Sequence, residues 1–289
     1  MTQTVLVTGA NSGLGRAIAT GLARDGARVG LLVRDRARGE AALAAIAMAS
    51  GNPDLHLFVA DLGSQEAVHA VAASILERFD ALHLLVNNAG TAYPTRRLSP
   101  EWIERSLAVN HLGPFLLTHR LLERLRASAP ARIINIGTRM QTAMVLDDLD
   151  WTRRPYRMMQ AYGQSKLGNL HFTFELARRL EGSGVTVNCL FPGVFRSNLG
   201  GTDGAQGLFW KTVDRLLGWA IPTPERAAER VLEVIRSPEL ATATGFYLAG
   251  HRRLEAPPQA CDPAMNQRVW AISEALVGLG STEGDMTPL

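Results

Sequence analysis

Residues 162–166 read YGQSK, within the longer run AYGQSKLGNLHFTFELARRL. A tyrosine and a lysine four residues apart share one helix face, so Tyr162 and Lys166 become surface neighbours. A phenol beside a fixed ammonium is a candidate proton donor and acceptor. Two amphipathic side chains stacked on an ordinary helix would read the same way. The pair means chemistry only if the rest of the chain supplies a cofactor and a substrate. One such signal lies near the N-terminus, where VLVTGANSGLGRAIA sets Gly9, Gly13 and Gly15 between an apolar run and a helical one. Glycines there permit positive φ and close approach of a pyrophosphate, which a helix N-terminus attracts. Asn11, Ser12 and Leu14 complete this turn. A strand before it and a helix after it raise its value above that of a tight turn without a ligand.

The second strand would meet the adenosine ribose. An acid at its tip favours a free 2′-hydroxyl, whereas an arginine accommodates a 2′-phosphate. The strand ends VGLLVRDRARGE: Val33 is uncharged, and Arg34 and Asp35 follow. The planar fork of Arg34 suits phosphate and can stack on adenine. Asp35 reads as the N-cap of the next helix. NADP(H) is therefore expected over NAD(H). VADLGS then offers Asp61, with Leu62 beside it, to the adenine amino group; Asp61 reads equally well as a helix cap.

These residues need a frame. β-rich runs fall at 4–8, 27–33, 55–60, 82–87, 131–137, 185–191 and 245–249, with helical patterns at 14–25, 36–49, 64–79, 100–127, 160–181 and 224–236. Several runs are apolar throughout, as strands covered on both faces are. The alternation predicts an α/β fold: a doubly wound parallel sheet of Rossmann type, about seven strands, with helices on both faces. One domain over 1–289 is expected. Two long excursions interrupt the rhythm, at 139–160 and 196–222. The second reads as a substrate loop or lid, or as an ordinary packed helix, and 250–289 as a C-terminal extension.

Apolar residues make up 46% of the chain, enough for a sizeable core, and 30 basic against 27 acidic side chains leave only +3. The basic residues form no block, and no nucleic-acid partner is expected. Cys189 and Cys261 make no disulfide framework, which suits a reducing compartment. Cys189, within VTVNCLF, reads as core. His111 and His119 lie eight apart and give no metal spacing. The first strand begins within about four residues of Met1, without a signal-peptide pattern. No apolar run approaches the ~20 residues of a membrane span. A cytoplasmic protein is expected.

Taken in order, TGANSGLG (8–15), NNAG (87–90), Asn110 within AVNHLGPF and YGQSK make the chain resemble the short-chain dehydrogenase/reductase family from residue 2 to about 250. VRDRARGE, VNHLGPFLLT, PGVFRSNL and WAISEALVGL resemble its retinol-dehydrogenase-like branch. The resemblance implies a catalytic set of Asn110, Thr138, Tyr162 and Lys166. Thr138 is the departure, because the family places a serine at this strand end, here written NIGT. Threonine keeps the hydroxyl but adds a methyl that stiffens χ1. Arg139, next along, has no hydroxyl to offer.

The resemblance also implies that Asn88, Ala89 and Gly90 border the adenine and nicotinamide ribose. Pro192, Gly193 and Val194 would lie beside the nicotinamide, with Ser197 at the position that binds its carboxamide. Lys166 would bond the nicotinamide ribose, and Asn110 would hold a water linking Lys166 to solvent. The ammonium and an oxidised nicotinamide ring are expected to lower the Tyr162 pKa. Met158, Met159 and Trp210 could line a substrate pocket or simply pack.

The expected activity is NADP(H)-dependent interconversion of a carbonyl and an alcohol on a lipophilic small molecule. The same site could serve a ring C=C bond or a quinone. A chain that had lost turnover through Thr138 would be an NADP(H)-binding regulatory or scaffold protein. Family members often dimerise through the tyrosine helix, so a homodimer is possible here.

Overall fold

The computed structural model describes residues 2–195 and 221–279. Eight strands form its sheet: β1 (Thr4–Thr8), β2 (Arg28–Val33), β3 (Leu55–Val59), β4 (Leu84–Asn87), β5 (Ala131–Ile136), β6 (Val185–Leu190), β7 (Phe246–Ala249) and β8 (Arg252–Arg253). Their order is β3-β2-β1-β4-β5-β6-β7-β8. Every pairing is parallel except β7 with β8. The eighth strand is the one not expected, and two residues at a sheet edge carry no alternation to read.

Both sheet faces are dry, so the strands bury apolar residues in both directions. Val5 and Val7 of β1 join one core, and Leu6 between them joins the other. Helices α1 (Gly13–Arg24), α2 (Arg36–Ser50) and α7 (Pro224–Arg236) cover the first face. Helices α3 (Gln65–Arg78), α5 (Gly113–Ala127) and α6 (Met158–Arg179) cover the second. The fold is a doubly wound α/β sheet of Rossmann type. Strand order reverses between β1 and β4, and the crevice that opens beyond their carboxyl ends is where such sheets bind ligands.

The helix expected over 100–127 starts later and is broken. Trp102 holds a left-handed φ of 64°, which stops an earlier start. The fully buried Glu104 then caps α4 (Arg105–Leu107), accepting from Ser106 N at 2.9 Å and Leu107 N at 2.8 Å. A π-helical turn follows (Ala108–Leu112), and α5 continues from Gly113. Pro114 has no N–H, so the Asn110 carbonyl lacks its ordinary i+4 partner. Turns of this kind recur at functional sites.

After β8 come α8 (Pro258–Cys261) and α9 (Pro263–Leu276). Helix α9 lies over α5 and α6. Trp270 meets Phe115 with ring centroids 4.9 Å apart, and Arg179 sits 4.2 Å from the Trp270 ring. Two buried polar pairs fix the seat: His111 Nε2 to Ser273 Oγ at 2.8 Å, and His171 Nδ1 to Asn266 Oδ1 at 2.6 Å. The Ser273 hydroxyl donates to Val269 O, so the imidazole is the donor to Ser273. Burial holds His111 down to about 4, so it is neutral at pH 7.

Candidate functional site

The Gly-rich turn crosses from β1 to α1 with Gly9 at φ 68° and Gly13 at φ 53°. A Cβ on Gly9 would stand 3.0 Å from Ala89 Cα, and one on Gly15 would overlap the Asn88 side chain and the Gly9 carbonyl. Thr8 ties this turn to the loop after β4. Its hydroxyl accepts from Asn88 N (3.0 Å) and Ala89 N (2.9 Å), while Asn88 Nδ2 donates to Thr8 O (2.8 Å). The N-cap Ser12 makes no side-chain capping bond, and α1 carries no acid in its first turn. Its first N–H groups and the positive helix end thus remain free for an anion. A pyrophosphate fits this start chemically. The Leu14 side chain packs into the core, so Leu14 itself offers only its backbone to the turn.

Arg34 is exposed at the tip of β2. Asp35 caps α2, accepting from Arg38 N at 2.8 Å, as its position implied. Asp61 caps no helix, because Ser64 caps α3 instead. Asp61 accepts from Gly63 N at 2.8 Å and pairs with Arg105. Leu62 is buried in the core.

Across the crevice, β5 ends at Ile136 and Thr138 follows. Thr138 Oγ1 accepts from Met140 N at 3.2 Å, leaving its hydroxyl proton to donate elsewhere. Tyr247 OH donates to Thr138 O at 3.0 Å and braces the turn from behind. Helix α6 brings Tyr162 and Lys166, both buried, to this point. Lys166 Nζ donates to Ile136 O at 2.9 Å and lies 6.0 Å from the centre of the Tyr162 ring. A Cβ on Gly90 would stand 3.3 Å from that Nζ and 3.6 Å from Asn110 Oδ1, so this loop, Lys166 and Asn110 share one pocket wall.

The Asn110 amide is fully engaged. It accepts from Thr91 N (2.7 Å) and donates to Thr91 O (2.8 Å) and Ser165 Oγ (2.9 Å). Ser165 in turn donates to Tyr162 O at 2.7 Å. The amide thus braces the site, and Pro114 leaves the Asn110 carbonyl without its i+4 donor. Thr91, Ser165 and Tyr247 belong to this frame and were not singled out from the sequence; only the family order of motifs points near them.

Burial sets the protonation. It pushes Tyr162 up to about 12, opposed by an interaction with the Thr138 hydroxyl. It holds Lys166 down to about 8. The expected lowering of Tyr162 is therefore not found in the protein alone. The phenol is desolvated, and the ammonium spends its contact on Ile136 O. Cys189, fully buried next to Lys166, is pushed up to about 12 and is a core thiol, not a nucleophile.

Gly193 takes φ 94°, and a Cβ there would overlap the Arg230 guanidinium. Pro192 is buried and Val194 exposed. Met158, half-buried, stands one turn before Tyr162 on the same face, and Met159 beside it is exposed. Ser197, Trp210 and nearly all of the excursion 196–222 lie outside the described residues, as do residues 280–289 of the C-terminal extension.

A family model described as short chain dehydrogenase matches residues 3–206. Human retinol dehydrogenase 13 is 40% identical over 291 aligned positions, covering 99% of this chain and 88% of the relative. A crystal structure of an uncharacterized protein from Mycobacterium paratuberculosis superposes with a TM-score of 0.77 and 30% identity, over 96% of this chain and 94% of that one. A short chain dehydrogenase from Burkholderia cenocepacia, solved in complex with NADP, gives a TM-score of 0.65 and 29% identity, over 86% and 95%.

Proposed function

The chain belongs to the short-chain dehydrogenase family, and on that premise we propose that it is an NADP(H)-dependent oxidoreductase interconverting a carbonyl and an alcohol on a lipophilic small molecule. One observation carries the reading: Tyr162 and Lys166 are buried together opposite Thr138, across the crevice from a helix start free to take a pyrophosphate. Gly9, Asn11, Ser12, Gly13 and Gly15 would hold the phosphates. Asn88, Ala89, Gly90 and Lys166 would hold the nicotinamide ribose, and Pro192, Gly193 and Val194 the ring. The NADP(H) preference is supported by Arg34, which is exposed, and by Asp35, whose carboxylate is occupied in capping α2. A lipophilic substrate is supported by the exposed Met140, Met159 and Val194 and by the likeness to a retinol dehydrogenase. Two free cysteines suit a reducing, cytoplasmic setting. Among the described residues no helix is long and apolar enough to cross a membrane. Pairing of two copies through α6 would have to displace α9.

The nicotinamide supplies or accepts the hydride when bound. For a carbonyl substrate, Tyr162 then gives its hydroxyl proton to the developing alkoxide. Thr138 donates a second hydrogen bond to the same oxygen, one that strengthens as charge develops. Lys166, charged below about pH 8, steadies the phenolate left behind. Water on the Asn110 carbonyl returns a proton toward Lys166. A Tyr162 that keeps its proton up to about pH 12 suits the reducing direction at neutral pH.

The test follows NADPH absorbance with a panel of ketones, aldehydes and quinones, all-trans-retinal among them, beside Tyr162→Phe. Turnover on a carbonyl, lost in Tyr162→Phe, is the expected result. NADPH binding without turnover on any carbonyl would overturn the reading, as would undiminished turnover in the variant.

A further inference from the structure

Between β5 and α6 the chain runs through residues 137–157 outside any helix or strand, yet its middle is folded around a buried carboxylate. Asp148, 6% exposed, accepts from Thr152 N at 2.7 Å, Thr152 Oγ1 at 3.1 Å and Arg153 N at 3.1 Å. Trp151 takes a left-handed φ of 59° to bury its ring, and the Arg154 guanidinium lies 3.7 Å from the ring centre. Arg154 Nε stands 3.1 Å from Asp148 Oδ2, and Nη2 donates to Asp148 O at 3.1 Å. The same Nη2 donates to Gln164 Oε1 at 2.5 Å.

Gln164 is the middle residue of YGQSK and is fully buried. Its Nε2 donates back to Leu149 O at 3.0 Å, so both ends of the amide are held by this loop. Two residues turn a helix by about 200°, which puts Gln164 on the side away from Tyr162 and Lys166. Earlier in the loop, Thr142 and Met140 run against Gly163, where a Cβ would stand 3.0 Å from Thr142 N and 3.1 Å from Met140 O. Residues 138–157 thus leave the site at Thr138, pass α6 at Gly163 and are fastened behind it at Gln164. The far end is tied as well, with Tyr156 OH donating to Tyr93 O at 3.1 Å.

Pairing a buried aspartate with a half-buried arginine adds little net stability over an apolar packing, but it admits far fewer arrangements. We propose that Arg154 is a positioning residue that, by holding Asp148 and Gln164 at once, fixes the 138–157 loop against the helix carrying Tyr162 and Lys166 and so sets one wall of the substrate cleft. The inference rests on the carbonyl-reductase reading for its kinetic consequence. It predicts a rigid wall, with substrate choice made by Met140, Met158 and Met159 and not by closure of this loop.

Arg154→Met and Arg154→Lys test it. Kinetics use all-trans-retinal, or whichever panel carbonyl the protein turns over, with NADPH binding followed by fluorescence and amide exchange by mass spectrometry. In Arg154→Met, kcat/KM for the carbonyl falls about 10–100-fold, the scale of one misfitted contact in an apolar substrate pocket. The fall is mostly in KM, NADPH binding stays within about twofold, and exchange rises in peptides from 139–157. Arg154→Lys, which keeps a cation and a donor, recovers part of both effects. Unchanged exchange in 139–157 together with unchanged KM would overturn the proposal. So would an equal weakening of NADPH and carbonyl, which marks a general loss of structure. Should Arg154→Met not fold, Arg154→Lys is read on the same two measurements. If no carbonyl is turned over, the activity reading fails, whereas the loop's exchange still shows whether Arg154 fastens it.

Discussion

A tyrosine that serves as a proton donor should be hard to ionise before its cofactor arrives, and the free protein allows this to be measured. With burial pushing Tyr162 to about 12, about one molecule in 10^5 carries tyrosinate at pH 7, roughly 7 kcal/mol from the neutral phenol. At pH 10.5 the ionised share is about 3%, against about 75% for a tyrosine of ordinary pKa. The chain has four tyrosines, so the phenolate absorbance of the protein without cofactor is recorded from pH 8 to 10.5 and that of Tyr162→Phe subtracted. The difference should stay below about a tenth of one phenolate throughout. A full phenolate appearing with a midpoint below 10 would refute the argument. It would mean that Lys166, 6.0 Å from the ring, outweighs burial, which the bond from Lys166 to Ile136 O argues against.

Thr138→Ala should lower kcat about 10²-fold if its hydroxyl holds the substrate oxygen; Thr138→Ser should stay within a few-fold, and steady-state kinetics with one carbonyl compares them. Arg34→Leu should weaken NADPH about tenfold, one charged hydrogen bond's worth, and leave NADH unchanged in a binding titration. Asp35→Ala should remove the α2 cap and about 1 kcal/mol of stability by urea unfolding. Lys166→Met should be inactive yet more stable at pH 7 by about 2 kcal/mol, since it relieves a buried cation. The sign follows from proton counts. Between about 8 and 10.5 the unfolded chain binds a proton that native Lys166 does not, so wild-type stability rises with pH there and the variant's advantage shrinks.

The main frame was legible because its signals are local. Apolar strands, the Gly-rich turn and the Asp35 cap all lie within a few residues of what they specify, and most element ends fell within two residues of those expected. The break at Trp102 and the π-helical turn were not legible, since periodicity continues through 100–112 while Glu104, by capping from inside, decides where the helix begins. The Asp61–Arg105 pair was missed because it spans 44 residues. Helix α9 could have been read, for Asp262 and Pro263 are an N-cap and a first-turn proline. For Tyr162 the sequence shows the neighbouring charge and hides the depth of burial, which dominates in the protein without cofactor.

The seat of α9 has a consequence for the order of synthesis. Ser273, which receives His111, lies 162 residues beyond it, and Gln65 Nε2 donates to Leu276 O across 211 residues. At a translation rate of about 5–20 residues per second, Gln65 waits roughly 10–40 s for Leu276 to be made. Until α9 is made, Phe115 and Phe172 lack the Trp270 ring that packs against both, and the helix bearing Tyr162 lacks its outer neighbour. The nascent chain thus holds Tyr162 and Lys166 on a helix with one side open to chaperones and to other nascent chains until α9 emerges.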